Sequence, residues 1–153
     1  MAIEYTLRGD AHADLDQLTS FFTEAIEGRL GPDKTVFRDG MYVTAYPVPD
    51  GEGHETTRLL GFQHRITAVY HFSNLADQAT HDHNVAVMIR SVLAFFDRFG
   101  GHGALLFNGE EVTIQRLTNE IIFNSDWDDW TGVDALTSLI APHSSRPLPQ
   151  PLL

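Results

Sequence analysis

A chain of 153 residues has room for one domain, burying roughly 70% of its extended surface, and not for two. Its 21 Asp and Glu against 10 Lys and Arg give a net charge of −11, which repels phosphate backbones and anionic lipid; that argues against nucleic-acid and membrane partners and favours a basic partner or simple solubility. The absence of cysteine excludes disulfides, a thiolate nucleophile and Cys-ligated zinc or iron–sulfur centres.

Ile3, Tyr5 and Leu7 alternate with Glu4, Thr6 and Arg8, the period of a strand with one buried face. After Gly9-Asp10, Asp14 caps a helix with Gln17 as its reciprocal partner, and Leu15, Leu18, Phe22, Ala25 and Ile26 follow at helical spacing until Gly28. Asp39-Gly40 between Val36–Arg38 and Met41–Tyr46 predicts a hairpin, because a two-residue type I′ turn needs positive φ at both positions. Residues 47–61, rich in Pro, Gly and acids without an apolar period, read as a surface loop or flap. Ile66, Ala68, Tyr70 and Phe72 then share one face of a strand and Arg65, Thr67, Val69 and His71 the other.

A long helix is expected from Asn74, with Asp77 at its third position, to a stop at Gly100-Gly101. Ala104–Phe107, the turn pair Asn108-Gly109 and Glu110–Gln115 form a second hairpin. A turn at Thr118-Asn119 and a strand at Ile121–Phe123 complete a meander. Ser125 is expected to cap a short helical segment with an acidic first turn, Asp126-Trp127-Asp128-Asp129-Trp130. Four of the seven prolines fall in residues 142–153, which read as an extended tail, frayed or docked, beyond a single domain at 1–141. Strands joined by hairpins and meander turns predict an α+β two-layer sandwich: a largely antiparallel sheet of about six to seven strands, two main helices on one face and a short C-terminal helix. No apolar run nears the length of a membrane span and MAIEYTLRGD lacks a basic-then-apolar leader, so a cytoplasmic protein is expected.

The residues that carry chemistry are set out sparsely. His81-Asp82-His83 has a metal-pair spacing, but in a helix positions i and i+2 point about 200° apart, and exposed polar residues are the simpler reading. His64 and His71, an odd number of residues apart on one strand, face opposite ways. No GxSxG elbow occurs, and Gly100-Gly101-His102-Gly103 follows a helix instead of opening one, so it is a turn and not a phosphate cradle. Phe21, Phe22, Phe95, Phe96 and Phe99 read as core.

The segment 125–130 holds both tryptophans among three carboxylates, and residues 110–134 hold seven acids and one base, −6 of the −11. Its ordinary reading is a helix start with tryptophans tucked on the core. Its functional reading is a partner-binding surface of Glu110, Glu111, Asp126, Trp127, Asp128, Asp129 and Trp130, with Trp as anchor and carboxylates pairing with Arg or Lys.

Met1-Ala2-Ile3-Glu4-Tyr5, the Leu105-Leu106-Phe107-Asn108-Gly109-Glu110 hairpin after a helix with a Phe-rich end, and Asp126-Trp127-Asp128-Asp129-Trp130 together resemble the immunity proteins of Sit-type polymorphic toxin systems. The resemblance covers about residues 1–8 and 85–130. It implies a small cytoplasmic, non-enzymatic protein that neutralises a cognate toxin passed between bacterial cells. It transfers no catalytic residues, no metal and no cofactor, and it names no binding surface. An acidic protein suits a basic toxin, since steering speeds association. The alternatives are a small-molecule-binding domain or enzyme with a pocket between the sheet and the 47–61 flap, lined by His64 or His71, and a self-assembling regulatory module.

Overall fold

A computed structural model describes residues 3–150; Met1 and Ala2 of the expected first strand and residues 151–153 of the expected tail lie outside the described residues. The described chain runs β1 (Ile3–Gly9), α1 (Leu15–Ala25), β2 (Arg29–Leu30), β3 (Val36–Arg38), β4 (Met41–Pro47), α2 (Glu55–Leu60) and β5 (Ile66–Phe72). It continues through α3 (Gln78–Phe99), β6 (Gly103–Phe107), β7 (Glu111–Leu117), β8 (Glu120–Asn124), a single 3-10 turn (Asp128–Trp130), α4 (Asp134–Ile140) and β9 (Ser144–Arg146). The nine strands form one sheet in the order β2-β3-β4-β5-β1-β6-β7-β8-β9. All pairs are antiparallel except β8 with β9.

The α+β class is as expected, and the sheet is larger, nine strands in place of six or seven, and mixed. The two additional edge strands, β2 and β9, have two and three residues, too few for any periodicity to register. Residues 47–61 are not all loop, since α2 forms there, its start closed by Thr57 Oγ1 donating to His54 O at 2.7 Å.

On the inner face Tyr5, Leu7, Val43, Tyr70 and Leu105 meet Leu18, Phe21 and Phe22 of α1 and Met88, Val92, Phe95 and Phe96 of α3 in one core. The phenylalanines do pack as core, with Phe21, Phe22, Phe95 and Phe99 in mutual ring contact at 4.9–6.0 Å. Asp14 caps α1 reciprocally with Gln17 as the sequence predicts. The long helix starts later than expected: Asp77, not Asn74, is its cap, accepting from Thr80 N at 2.8 Å. Gly100 and Gly101, both at positive φ, end it.

Both hairpins form. At Asn108-Gly109 both residues have positive φ, as type I′ requires, whereas at Asp39-Gly40 only Gly40 does. That second turn is pinned from above by Asn84 of α3, whose amide donates to Asp39 O at 2.8 Å.

The opposite face of the sheet is half covered. Over β6–β8, Phe62 after α2 and Leu148 of the C-terminal strap pack on Ala104, Leu106, Val112 and Ile122 as a second, smaller core. A bulge in β7 makes this possible: the register slips between Leu105 and Leu106, so Ile114 faces the main core while Val112 faces the small one. Thr113, the extra residue, is held by its hydroxyl donating to Leu105 O at 2.8 Å. Past the bulge the strap completes the ladder: Val112 N donates to Gln150 Oε1 at 2.7 Å. The strap is therefore docked as far as Gln150.

Candidate partner-binding surface

β1 begins beneath the 3-10 turn, and the two tryptophans pack there on Tyr5. Trp130 is 7% exposed. Its ring lies at 5.9 Å from Tyr5, nearly stacked, and edge-on to Phe123 at 6.4 Å. Trp127 is half-buried against Phe107 at 4.8 Å and Tyr5 at 6.4 Å. Trp130 is thus mainly core, and Trp127 alone keeps part of its ring at the surface.

Both indole N–H groups are buried without a hydrogen-bond partner among the described residues. The Tyr5 hydroxyl lies near both, and their N–H groups favour its ionised form, though neither pair reaches hydrogen-bond geometry. Burial raises the Tyr5 phenol well above its ordinary value, with a smaller push from Asp129.

The carboxylates are presented by a turn built on Asn124, not Ser125. Asn124 is 5% exposed. Its Oδ1 accepts from Asp126 N at 3.0 Å and Leu148 N at 3.4 Å, and its Nδ2 donates to Val112 O at 2.8 Å. One amide therefore shapes the acidic turn, holds the strap and satisfies the bulged strand. The chain breaks after the 3-10 turn, at Gly132 with positive φ, so α4 is separate. Neither the turn nor α4 has a side-chain cap.

Asp126, Asp128, Asp129 and Glu110 are exposed and Glu111 partly so. The Phe107–Trp127 contact brings the hairpin bearing Glu110 and Glu111 beside the acidic turn. A cleft of about 220 Å³ lies between this turn and the start of α3, walled by Asp82, His81 and Asp129 and floored by Tyr5 and Trp130. Asp82 and His81 join the surface only through the fold, being 47 and 48 residues from Asp129 along the chain, and no spacing rule finds them. Segments 77–89, 103–115 and 121–134, which meet around the cleft, contain eight carboxylates (Asp77, Asp82, Glu110, Glu111, Asp126, Asp128, Asp129, Asp134) and no Lys or Arg. Their combined field is negative without internal compensation.

The 47–61 flap borders a separate, open cavity of about 480 Å³ beside His54, Arg58 and His64. His64 precedes β5, so strand alternation does not govern it, and its ring turns to the outer face. Its Nδ1 accepts from His54 N at 2.9 Å, which leaves the proton on Nε2 to donate to Thr67 Oγ1 at 2.6 Å. Burial first, then the positive charge of Arg8 and neighbouring His54, push its pKa down to about 4. His71 is also on that face, bonded to Glu4 at 3.1 Å. Among the described residues no three His, Asp or Glu converge as a metal site, and no helix is long and apolar enough to cross a membrane.

No curated protein and no solved structure matches the chain. A family model described as SitI3-like matches residues 3–134, from the first described residue of β1 to the start of α4. By that match across most of its length, the chain belongs to the SitI3-like family of immunity proteins.

Proposed function

We propose that this protein is a non-enzymatic cytoplasmic immunity protein, which binds a basic cognate toxin through the acidic surface around the 3-10 turn. Family membership over residues 3–134 carries the immunity role. The choice of surface is supported by Asp126, Asp128, Asp129, Glu110 and Glu111 standing together with an exposed edge of Trp127. Trp130 supports the turn from below. The interface between sheet and helices is filled, which leaves an enzyme reading the flap cavity beside His54, Arg58 and His64, where both ring nitrogens of His64 are already engaged by His54 N and Thr67 Oγ1.

Co-expression with the toxin encoded beside this gene should restore growth and yield a stable complex, and unchanged survival would refute the immunity role. The surface has its own test. Asp126→Lys, Asp128→Lys and Asp129→Lys together move the net charge from −11 by +6, to −5. Association should slow by at least about tenfold at low ionic strength, with the difference shrinking as salt screens it. An association rate unaffected by the triple reversal would remove this surface while leaving the immunity role standing.

A further inference from the structure

The outer face of the sheet is open over β2, β3 and β4 and over the Glu4 and His71 ends of β1 and β5, whereas Thr6 and Thr67 farther along that face are buried, and what the open part shows is not ordinary solvated polar surface. One row runs straight across it in register: Arg29 opposite Phe37, Phe37 opposite Tyr42, Tyr42 opposite His71, and His71 opposite Glu4. The Phe37 and Tyr42 rings are 5.9 Å apart, Tyr42 and His71 stack at 4.3 Å and 12°, and His71 Nδ1 is 3.1 Å from Glu4 Oε1. Phe37 and Tyr42 remain 38% and 39% exposed. Beside the middle of this row a groove of about 460 Å³ opens between Tyr42, His71, Asp39 and Ala76, and Leu75 stands at its rim, 96% exposed. Apolar groups concentrated like this mark an interface.

We propose that this face joins two copies of the chain about a two-fold axis. The row reads cation, ring, ring, ring, carboxylate, so rotation about Tyr42 lays Arg29 of each copy on Glu4 of the other and Phe37 on His71. That is the self-complementarity an isologous contact requires. Leu75 beside its own groove obeys the same rule, each copy's leucine entering the other's groove. Charge selects the occupant. Two molecules at −11 repel except where the acidic field is absent, and here Glu4 and Asp39 are matched by Arg8 and Arg29. A basic toxin finds no complement on such a face. β2 and β3 have two and three residues and β4, β5 and β1 seven each; at about 4.8 Å between strands and about 3.4 Å per residue they span at most about 420 Å² before the groove is added. That is small beside the roughly 800 Å² per partner of stable complexes, so the dimer is concentration-dependent.

Sedimentation of the full chain from about 5 to about 500 µM should show the mass rising from 17.1 kDa toward twice that. Leu75→Glu should keep the chain monomeric throughout with an unchanged thermal melt, since Leu75 touches little. Arg29→Glu should weaken the dimer by at least about tenfold, and Arg29→Glu with Glu4→Arg should restore it. A monomer at every concentration, or a dimer indifferent to Leu75→Glu, overturns the proposal. So does loss of toxin neutralisation in Leu75→Glu while the parent chain is monomeric, which would give the face to the toxin. None of these readings depends on the acidic surface being the toxin site.

Discussion

Leu148→Ala asks whether the strap is part of the cooperative fold. Leu148 is 7% exposed among Phe62, Ala104, Leu106, Val112 and Ile122. Burying a leucine is worth about 1.5–3 kcal/mol, and truncating one in an enclosed core costs about 2–5 kcal/mol. This small core adjoins a surface groove of about 570 Å³ lined in part by Leu60, Leu117 and Leu148, so neighbours can close in. The cost then falls at the low end, about 2 kcal/mol, or a Tm about 4–8 °C lower for a chain of this size. Gln150→Ala leaves Val112 N–H without its 2.7 Å acceptor and costs about 1 kcal/mol, less than additively with Leu148→Ala because both act on one strap. Both tryptophans pack against the main core on the opposite face and neither belongs to the small one. A Leu148→Ala shift in tryptophan-monitored urea melts therefore reports coupling through the sheet, and amide exchange at Val112 reports the strap itself. A Tm within about 1 °C of the parent with Val112 exchange unchanged would refute the docked strap.

Tyr70 OH donates to Ser91 Oγ at 2.6 Å and Ser91 donates to Met88 O at 2.7 Å, all buried. Ser91→Ala, which strands the phenol, should cost about 1–3 kcal/mol in urea melts, and Tyr70→Phe less; equal costs would refute the asymmetry. His64 sits folded at about 4 against about 6.5 unfolded. Between these the unfolded chain takes up a proton that the folded chain refuses, so stability is lost as pH falls from about 6.5 toward 4. Solvent access to this half-buried ring reduces the full linkage of about 3 kcal/mol to about 1–2 kcal/mol. His64→Gln should flatten that stretch of the stability–pH curve, and an identical slope would show that His64 does not cause it. Asn124→Ala removes the donor to Val112 O and the acceptor for Asp126 N and Leu148 N; a loss of about 2–4 kcal/mol by thermal melt is expected, and a loss under about 0.5 kcal/mol would show that water replaces it.

What the sequence disclosed, it disclosed through local chemistry. Asn108-Gly109 and Gly40 need positive φ, Asp14 and Gln17 need each other, and the alternation of β5 tolerates one orientation only. β1 was legible as a strand, but its place between β5 and β6 was not, because those pairings join residues about 60 to 100 apart. The bulge defeated strict alternation at Val112 and Ile114. The acidic turn was legible as exposed charge, and the packing of its tryptophans was open to both readings. Asp82, which faces Asp129 across the cleft, was out of reach because only the α3–α4 packing brings it there.

The position of β1 bears on the order of folding. The β3–β4 hairpin and the β6–β7–β8 meander close short loops and can form early. β1 pairs Ile3 with Phe72 and Tyr5 with Phe107, so it is the splice between two halves that assemble apart. Loop-closure entropy must be met before either pairing gives anything back. We expect the rate-limiting step to be insertion of this strand, with Leu7→Ala slowing refolding more than Leu148→Ala does. Until then the facing edges of β5 and β6 are bare, and a nascent molecule is open to strand exchange where the finished one is not.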